Sequence, residues 1–300
     1  MPRGGAAAQK SRVLVVFNPA AGRRRADRVW RVLDILTASG IRVEVARTTG
    51  VGHATCLARD AVRAGERLVV AAGGDGTVAE VAAGLSGAPA RLGIIPVGTA
   101  NVLAQELRLP RSPRDLAAVL AFGRGRTIWP GLARGPAGPG TLFVQMLGAG
   151  FDAQVVHAVG PRLKRALGRH AYVVQGVREA LRYGFEPIDL AVDGQVLRAG
   201  SVIVSKGELY GGAYRLARGA SPRAPGFTVA LFQQGGWERA MLYGAALPLN
   251  LLPRMPGVRF LRGSEISIRT QIPAQADGGP LGRTPLTVVD APAPLEVLAP

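Results

Sequence analysis

Cys56 is the chain's only cysteine, so no intrachain disulfide can form and nothing points to an oxidising compartment; a reducing cytoplasm is expected. Lysine is nearly as scarce, at Lys10, Lys164 and Lys206 alone. Arginine therefore supplies most of the positive charge. Aromatic residues make up only 5% of the chain, and no aromatic-rich basic stripe or nucleic-acid fold motif accompanies the charge, which excludes nucleic acid as the expected partner. His53, His157 and His170 have no partners at zinc-ligand spacing. The basic stretch Met1 to Arg12 lacks the apolar core of a signal peptide, and no run reaches the roughly 20 apolar residues of a membrane span. The longest apolar run, Ala240 to Leu252, is interrupted by Gly244 and Pro248 and is expected to be irregular.

What the chain does have is a hydrophobic content of 48% over 300 residues, enough for two cores. Its 37 Lys and Arg outnumber 20 Asp and Glu, for a net charge of +17, a field that draws in phosphates and acidic lipids. Periodicity alternates from the start. Strands are predicted at Arg12–Phe17, Ile41–Ala46, Leu68–Ala72 and Leu92–Ile95, with helices around Val29–Leu36, His53–Ala64 and Thr77–Leu85 between them. That alternation predicts a doubly wound parallel sheet, whose ligands sit at the carboxyl ends of the strands. Beyond about residue 125 the texture turns β-rich. Strands are predicted at Thr141–Leu147, Ile188–Val192, Gln195–Leu197, Ser201–Val204, Phe227–Phe232 and Glu265–Thr270, with Asp193-Gly194 as a tight hairpin turn and a helix over Arg162–Tyr183. The domain expectation is residues 1–125 for the α/β nucleotide-binding part and 126–300 for a β-sandwich-like lipid domain, the last strands packing back on the first.

Three glycine-bearing loops end neighbouring strands of the first part. Gly73-Gly74-Asp75-Gly76-Thr77 is the sharpest, because glycines let backbone amides approach a phosphate and a helix N-terminus favours its charge. Asp75 adds a hard oxygen suited to Mg²⁺, while Thr77 and Glu80 have the spacing of a capping box. Asn18-Pro19-Ala20-Ala21-Gly22 and Pro96-Val97-Gly98-Thr99-Ala100-Asn101 complete the set. Each alone is an ordinary turn; together they indicate a phosphate site. The lysine motif of a P-loop is missing.

The three loops in this order resemble the catalytic domain of diacylglycerol kinases, sphingosine kinases and bacterial lipid kinases. Gly148-Ala149-Gly150-Phe151-Asp152-Ala153, Tyr210-Gly211-Gly212 and Asp277-Gly278 are similar to landmarks of that family's β-rich half, so the resemblance covers most of the chain. It implies ATP, Mg²⁺ and phosphoryl transfer to a lipid hydroxyl. Asn18, Pro19, Gly22, Thr48, Gly73, Gly74, Asp75, Gly76, Thr77, Gly98, Thr99 and Asn101 would hold the nucleotide, with Asp75 serving the metal and the chemistry. A lipid substrate and peripheral contact with the anionic inner face of the membrane follow, with Arg162, Lys164, Arg165 and Arg169 as candidate headgroup contacts. Oligomeric state is left open.

Departures bear on activity. In many bacterial members a glutamate that accepts the hydroxyl proton follows Asp-Gly; here Gly279 stands there. Asp277, read as lying on the same side of an extended segment, is the expected substitute, with a simple turn as the alternative. The family's structural Mg²⁺ relies on an aspartate near Ala224-Pro225-Gly226, and no acid is present there, so that metal is expected to be absent. General-base catalysis is worth about 10²–10⁴-fold, so an attenuated kinase is compatible with the loss. The alternatives are a catalytically impaired binding relative, an NAD kinase-like enzyme sharing the GGDGT loop, and, from the GxGxxA pattern at Gly148, an oxidoreductase.

Overall fold

The computed structural model describes residues 12–21, 26–136, 138, 140–160, 163, 166–168 and 170–300. β1 (Arg12–Phe17), α1 (Ala26–Ala38), β2 (Arg42–Arg47), α2 (His53–Arg63), β3 (Leu68–Gly73), α3 (Asp75–Leu85) and β4 (Arg91–Pro96) alternate as the sequence predicts, followed by α4 (Val102–Glu106) and α5 (Pro113–Phe122). The strands align in parallel in the order β2-β1-β3-β4. Side chains of β1 alternate between two cores. Val13, Val15 and Phe17 pack with Val29, Leu33, Leu116 and Leu120 of α1 and α5, whereas Leu14 and Val16 pack with Ala58, Val81 and Leu85 of α2 and α3. A strand buried on both faces needs helices on both sides, which is why β3, LVVAAG, is buried throughout.

Two further strands extend this sheet. Leu295–Ala299 lies parallel to β4 and antiparallel to β5 (Arg124–Ile128), so the chain's last strand sits in the sheet of its first. Residues 131–290 supply two antiparallel six-stranded sheets. The first runs in the order Gln195–Ala199, Ile188–Val192, Ile266–Ile268, Leu286–Asp290, Gly131–Arg134, Thr141–Phe143; the second in the order Val258–Gly263, Phe227–Phe232, Ser201–Ser205, Met146–Gly150, Pro273–Ala276, Gly279–Arg283. Phe143, Leu190, Ile266 and Val288 from one meet Leu147, Val202, Val229 and Ala274 from the other in a single apolar layer, the arrangement of a β-sandwich. Asp193 and Gly194 both have positive φ, 46° and 82°, and close the predicted hairpin.

Two expectations are corrected. Thr141–Leu147 is two strands, Thr141–Phe143 and Met146–Gly150, in different sheets. The chain turns the corner because Asp277 accepts hydrogen bonds from the amides of Val144, Gln145 and Met146, which removes them from any continuous ladder. The run from Ala240 is helical, Trp237–Ala246: an interior glycine costs only about 1 kcal/mol, and Pro248 lies beyond the helix end. Of the helix predicted over Arg162–Tyr183, His170–Ala180 is helical, as are Leu163, Ala166 and Leu167; Arg162, Lys164, Arg165 and Arg169 lie outside the described residues, as does Gly22.

Candidate active site

The carboxyl ends of β1, β3 and β4 bring the three loops into contact. Asn18 Nδ2 donates to Thr77 Oγ1 at 3.0 Å while Asn18 Oδ1 accepts from the Ala20 amide, so one side chain shapes its own loop and ties it to the second. Val97 N donates to Gly73 O, and a β-carbon on Gly98 would fall 2.4 Å from Gly74 Cα. Only glycine permits that approach. Asp75 closes the ring: its Oδ1 accepts from the Val102 amide at 2.6 Å, capping α4 from the neighbouring loop in place of Asn101, which is itself left-handed with φ 50°. Burial raises the Asp75 pKa, and the amides of Val102, Leu103 and Asn101 pull it back.

Thr77 is buried within the first turn of α3, whose N-cap is Gly74 with no side-chain cap. The expected Thr77–Glu80 capping box is therefore not formed. Thr77 Oγ1 is used by Asn18, and the Glu80 carboxylate instead accepts from the Ala54 amide of α2. The first turn of a helix carries amide groups without intrahelical acceptors, so this end suits an anion. Thr48 is placed at the same sheet edge through its amide bond to Phe17 O. Pro19, Gly76 and Thr99 are exposed along the edge, and Asn101 Oδ1 is buried without a hydrogen-bond partner. The glycine cradle that β-carbons would fill and the free amides at the start of α3 fit a nucleoside triphosphate. No group of three or more His, Cys, Asp or Glu side chains among the described residues could hold a metal ion, so Mg²⁺ suits the Asp75 position only as a partner of phosphate oxygens.

The sandwich forms the facing wall. Glu106 of α4 accepts from the Glu208 amide at 2.6 Å, and Gly168 lies against Thr99, with a β-carbon there 3.7 Å from Thr99 Cγ2. Asp277 (φ 47°) and Gly278 (φ 75°) are the two-residue turn between Pro273–Ala276 and Gly279–Arg283, which corrects the extended segment expected there. Asp277 Oδ1 and Oδ2 receive three amides, yet burial outweighs them and, helped by the nearby charge of Asp75, raises its pKa from 3.8 to about 7. The two aspartates nominated from sequence are thus electrostatic neighbours.

Asp152, a landmark of the family resemblance, has partners that its local pattern does not show. Asp152 is half-buried with its pKa raised by desolvation, and it accepts from Tyr210 Oη and, at 2.8 Å, from Gln275 Nε2. Gln275 Oε1 in turn accepts from the Gly278 amide, so Tyr210, Asp152, Gln275 and the Asp277-Gly278 turn form one connected network. The recurrence of Tyr, Asp and Asp-Gly among the β-rich landmarks was the available signal. The strands flanking Met146–Gly150 are antiparallel to it, so the Gly148 pattern has no βαβ unit and the oxidoreductase alternative loses its support.

Family models match both parts of the chain: the diacylglycerol kinase catalytic domain over residues 12–132 and the YegS C-terminal NAD kinase beta sandwich-like domain over residues 145–299. The chain belongs to the diacylglycerol kinase catalytic-domain family. It is 31% identical to a diacylglycerol kinase of Bacillus subtilis (strain 168) over 62% of this chain and 61% of that protein. Against a diacylglycerol kinase of Staphylococcus carnosus (strain TM300) the identity is 23% over 97% of this chain and 96% of that one. A crystal structure of a diacylglycerol kinase from Bacillus anthracis str. Sterne superposes with a TM-score of 0.72 at 19% identity, covering 98% of each chain, and shares the fold.

Proposed function

We propose that this member of the family is an ATP-dependent lipid kinase, transferring the γ-phosphate to a hydroxyl of a diacylglycerol-like lipid. The observation that carries the reading is the convergence of the loops at Asn18, Gly74 and Gly98 on one sheet edge, with glycine backbones in contact and an uncapped helix start between them. Asn18, Thr48, Gly73 to Thr77, Gly98, Thr99 and Asn101 would hold the nucleotide, and Asp75 would orient the cation arriving with it. Bound MgATP supplies the phosphoryl group and the positive charge that offsets its oxygens. Phosphoryl transfer draws mainly on positioning and charge neutralisation, which these loops can provide without a Walker lysine.

Asp277 is the proposed acceptor for the hydroxyl proton in place of the glutamate that Gly279 replaces. A carboxyl with a pKa of about 7 suits proton exchange near neutrality, and its three amide bonds also make it the support of the Val144–Met146 corner. The lipid enters between α4 and the sandwich. Its membrane approaches along the helix His170–Ala180 and the adjoining Trp237–Ala246 helix, which pack together. Val173, Val177 and Leu181 are exposed at helical i, i+4, i+8 spacing, and Trp237, Met241, Leu242, Leu249 and Leu251 are exposed beside them. An apolar face of that kind, with Arg178, Arg182 and Arg254 exposed around it, fits an anionic bilayer.

Labelled ATP and Mg²⁺ with a panel of diacylglycerol, other lipid alcohols and NAD tests the proposal, with Asp75→Ala as control. Transfer to a lipid that fails in the control is the expected result; transfer to NAD alone would overturn it. Gly279→Glu measures attenuation in the same assay: a rise of about 10²-fold or more supports a weakened kinase, and binding of nucleotide without turnover in either protein supports the impaired-relative reading.

A further inference from the structure

The turn at Ala224–Gly226 has no acid for a structural divalent ion, yet its oxygens surround a positive charge. Lys206 Nζ lies 2.6 Å from Asp290 Oδ1, 2.8 Å from Gly226 O and 3.4 Å from Ala224 O, and 4.4 Å from the centre of the Phe227 ring. Its side chain is 0% exposed. Asp290 Oδ2 accepts from the Gly226 amide at 2.7 Å, so the same carboxylate binds both the ammonium and the turn. An ammonium has three hydrogens to donate, and three oxygens receive them.

We infer that Lys206 is a tethered cation occupying the place of the structural metal that the family resemblance implies, so that this chain holds the turn without a divalent ion. The residues present do not fit Mg²⁺ or Ca²⁺. Such ions take six or more oxygen ligands and favour several carboxylates; here one carboxylate and two carbonyls are already engaged by a fixed positive charge that would repel a second. A lysine also changes the chemistry of regulation, since a covalently attached cation cannot be lost to a chelator or diluted away.

The position matters because Lys206 is placed between the sandwich core and the cleft. Its amide donates to Gln145 O, next to the corner held by Asp277. The following residues, Gly207 and Glu208, are fixed by Ser205 Oγ and by Glu106 of α4. They lead to Tyr210 and its bond to Asp152. Lys206 therefore anchors the start of the segment that leads to Tyr210 and Asp152.

Thermal unfolding of the full-length protein without nucleotide or lipid tests this, and its outcome is independent of the kinase proposal. The wild-type midpoint should be the same in EDTA as in Mg²⁺ or Ca²⁺. Lys206→Met should lower it by roughly 6–10 °C, because a half-buried carboxylate loses its partner. Lys206→Ala should lose at least as much, with no recovery on adding Mg²⁺ or Ca²⁺, because one carboxylate and two carbonyls are too few for either ion. A wild-type midpoint that falls on chelation and returns with Mg²⁺ would overturn the inference, as would a Lys206→Met protein as stable as the wild type. Should the Lys206 variants fail to fold, the chelation comparison on the wild type still decides, and Asp290→Asn, which keeps the lysine, should lose stability equally with and without metal.

Discussion

Gly98→Ala asks whether the contact between the loops is structural, functional or both. The added methyl would sit 2.4 Å from Gly74 Cα and 2.8 Å from Asn101 Oδ1. The Asn101 amide could turn aside, but Gly74 Cα is backbone, so the loops must separate. Overpacking of this kind costs about 1–3 kcal/mol, which at roughly 2–4 °C per kcal/mol lowers the unfolding midpoint by about 2–12 °C. Separating the loops also displaces the amides that would hold phosphate, so MgATP affinity by titration calorimetry should fall at least tenfold, about 1.4 kcal/mol. Gly76→Ala is the informative companion. Nothing lies within 4 Å of its β-carbon, and alanine is the better helix former, so stability should hold or rise slightly. Its methyl projects from the first turn of α3, where phosphate would approach, and nucleotide affinity should still drop. A Gly98→Ala protein as stable as the wild type would refute the close approach. A Gly76→Ala protein that binds MgATP unchanged would refute the cradle, leaving the glycines a purely structural explanation.

Two further outcomes follow from the site and its surroundings. Asp277 is raised from 3.8 to about 7, so the folded protein keeps a proton that the unfolded chain releases. Its stabilising contribution is complete below about pH 4 and is lost as pH rises through about 7. Asp277→Asn should flatten the decline in denaturant midpoint between pH 5 and 8; an unchanged slope assigns the dependence elsewhere. In the kinase assay a lower rate with a displaced pH profile marks proton acceptance by Asp277, and a lower rate with the same profile marks positioning. On the apolar face, Val177→Ser with Leu181→Ser should leave the unfolding midpoint unchanged, because both side chains are exposed. Binding to anionic vesicles should fall roughly tenfold or more for two lost apolar contacts. Equal sedimentation of variant and wild type with vesicles would remove this face from membrane contact.

The first half of the fold was legible because burial there imposes period and punctuation together. β3 is apolar at every position and ends on glycine, and the helix after it starts where the glycines stop. The convergence of the three loops was also legible, since a parallel sheet delivers the ends of β1, β3 and β4 to one edge whatever the side chains are. Side-chain partners were not. Thr77 and Glu80 have capping-box spacing, but each found a better partner across the fold, Asn18 at 59 residues' separation and Ala54 at 26. Local spacing cannot register such competition. Asp277 shows the same limit from the other direction. Its Asp-Gly pair marks a turn, while its carboxylate organises amides more than 130 residues earlier, and that long-range capture splits the run from Thr141 into strands of two sheets. Lys206 was invisible for a related reason. A lysine beside a serine in a β-rich stretch has no local signature, and its meaning comes from Asp290, 84 residues on, and from a turn whose acid is missing. The informative sequence sign was therefore an absence, the lack of an aspartate at Ala224-Pro225-Gly226. An absent ligand in a turn whose carbonyls still converge leaves a place for a replacement charge, and here one of the chain's three lysines fills it.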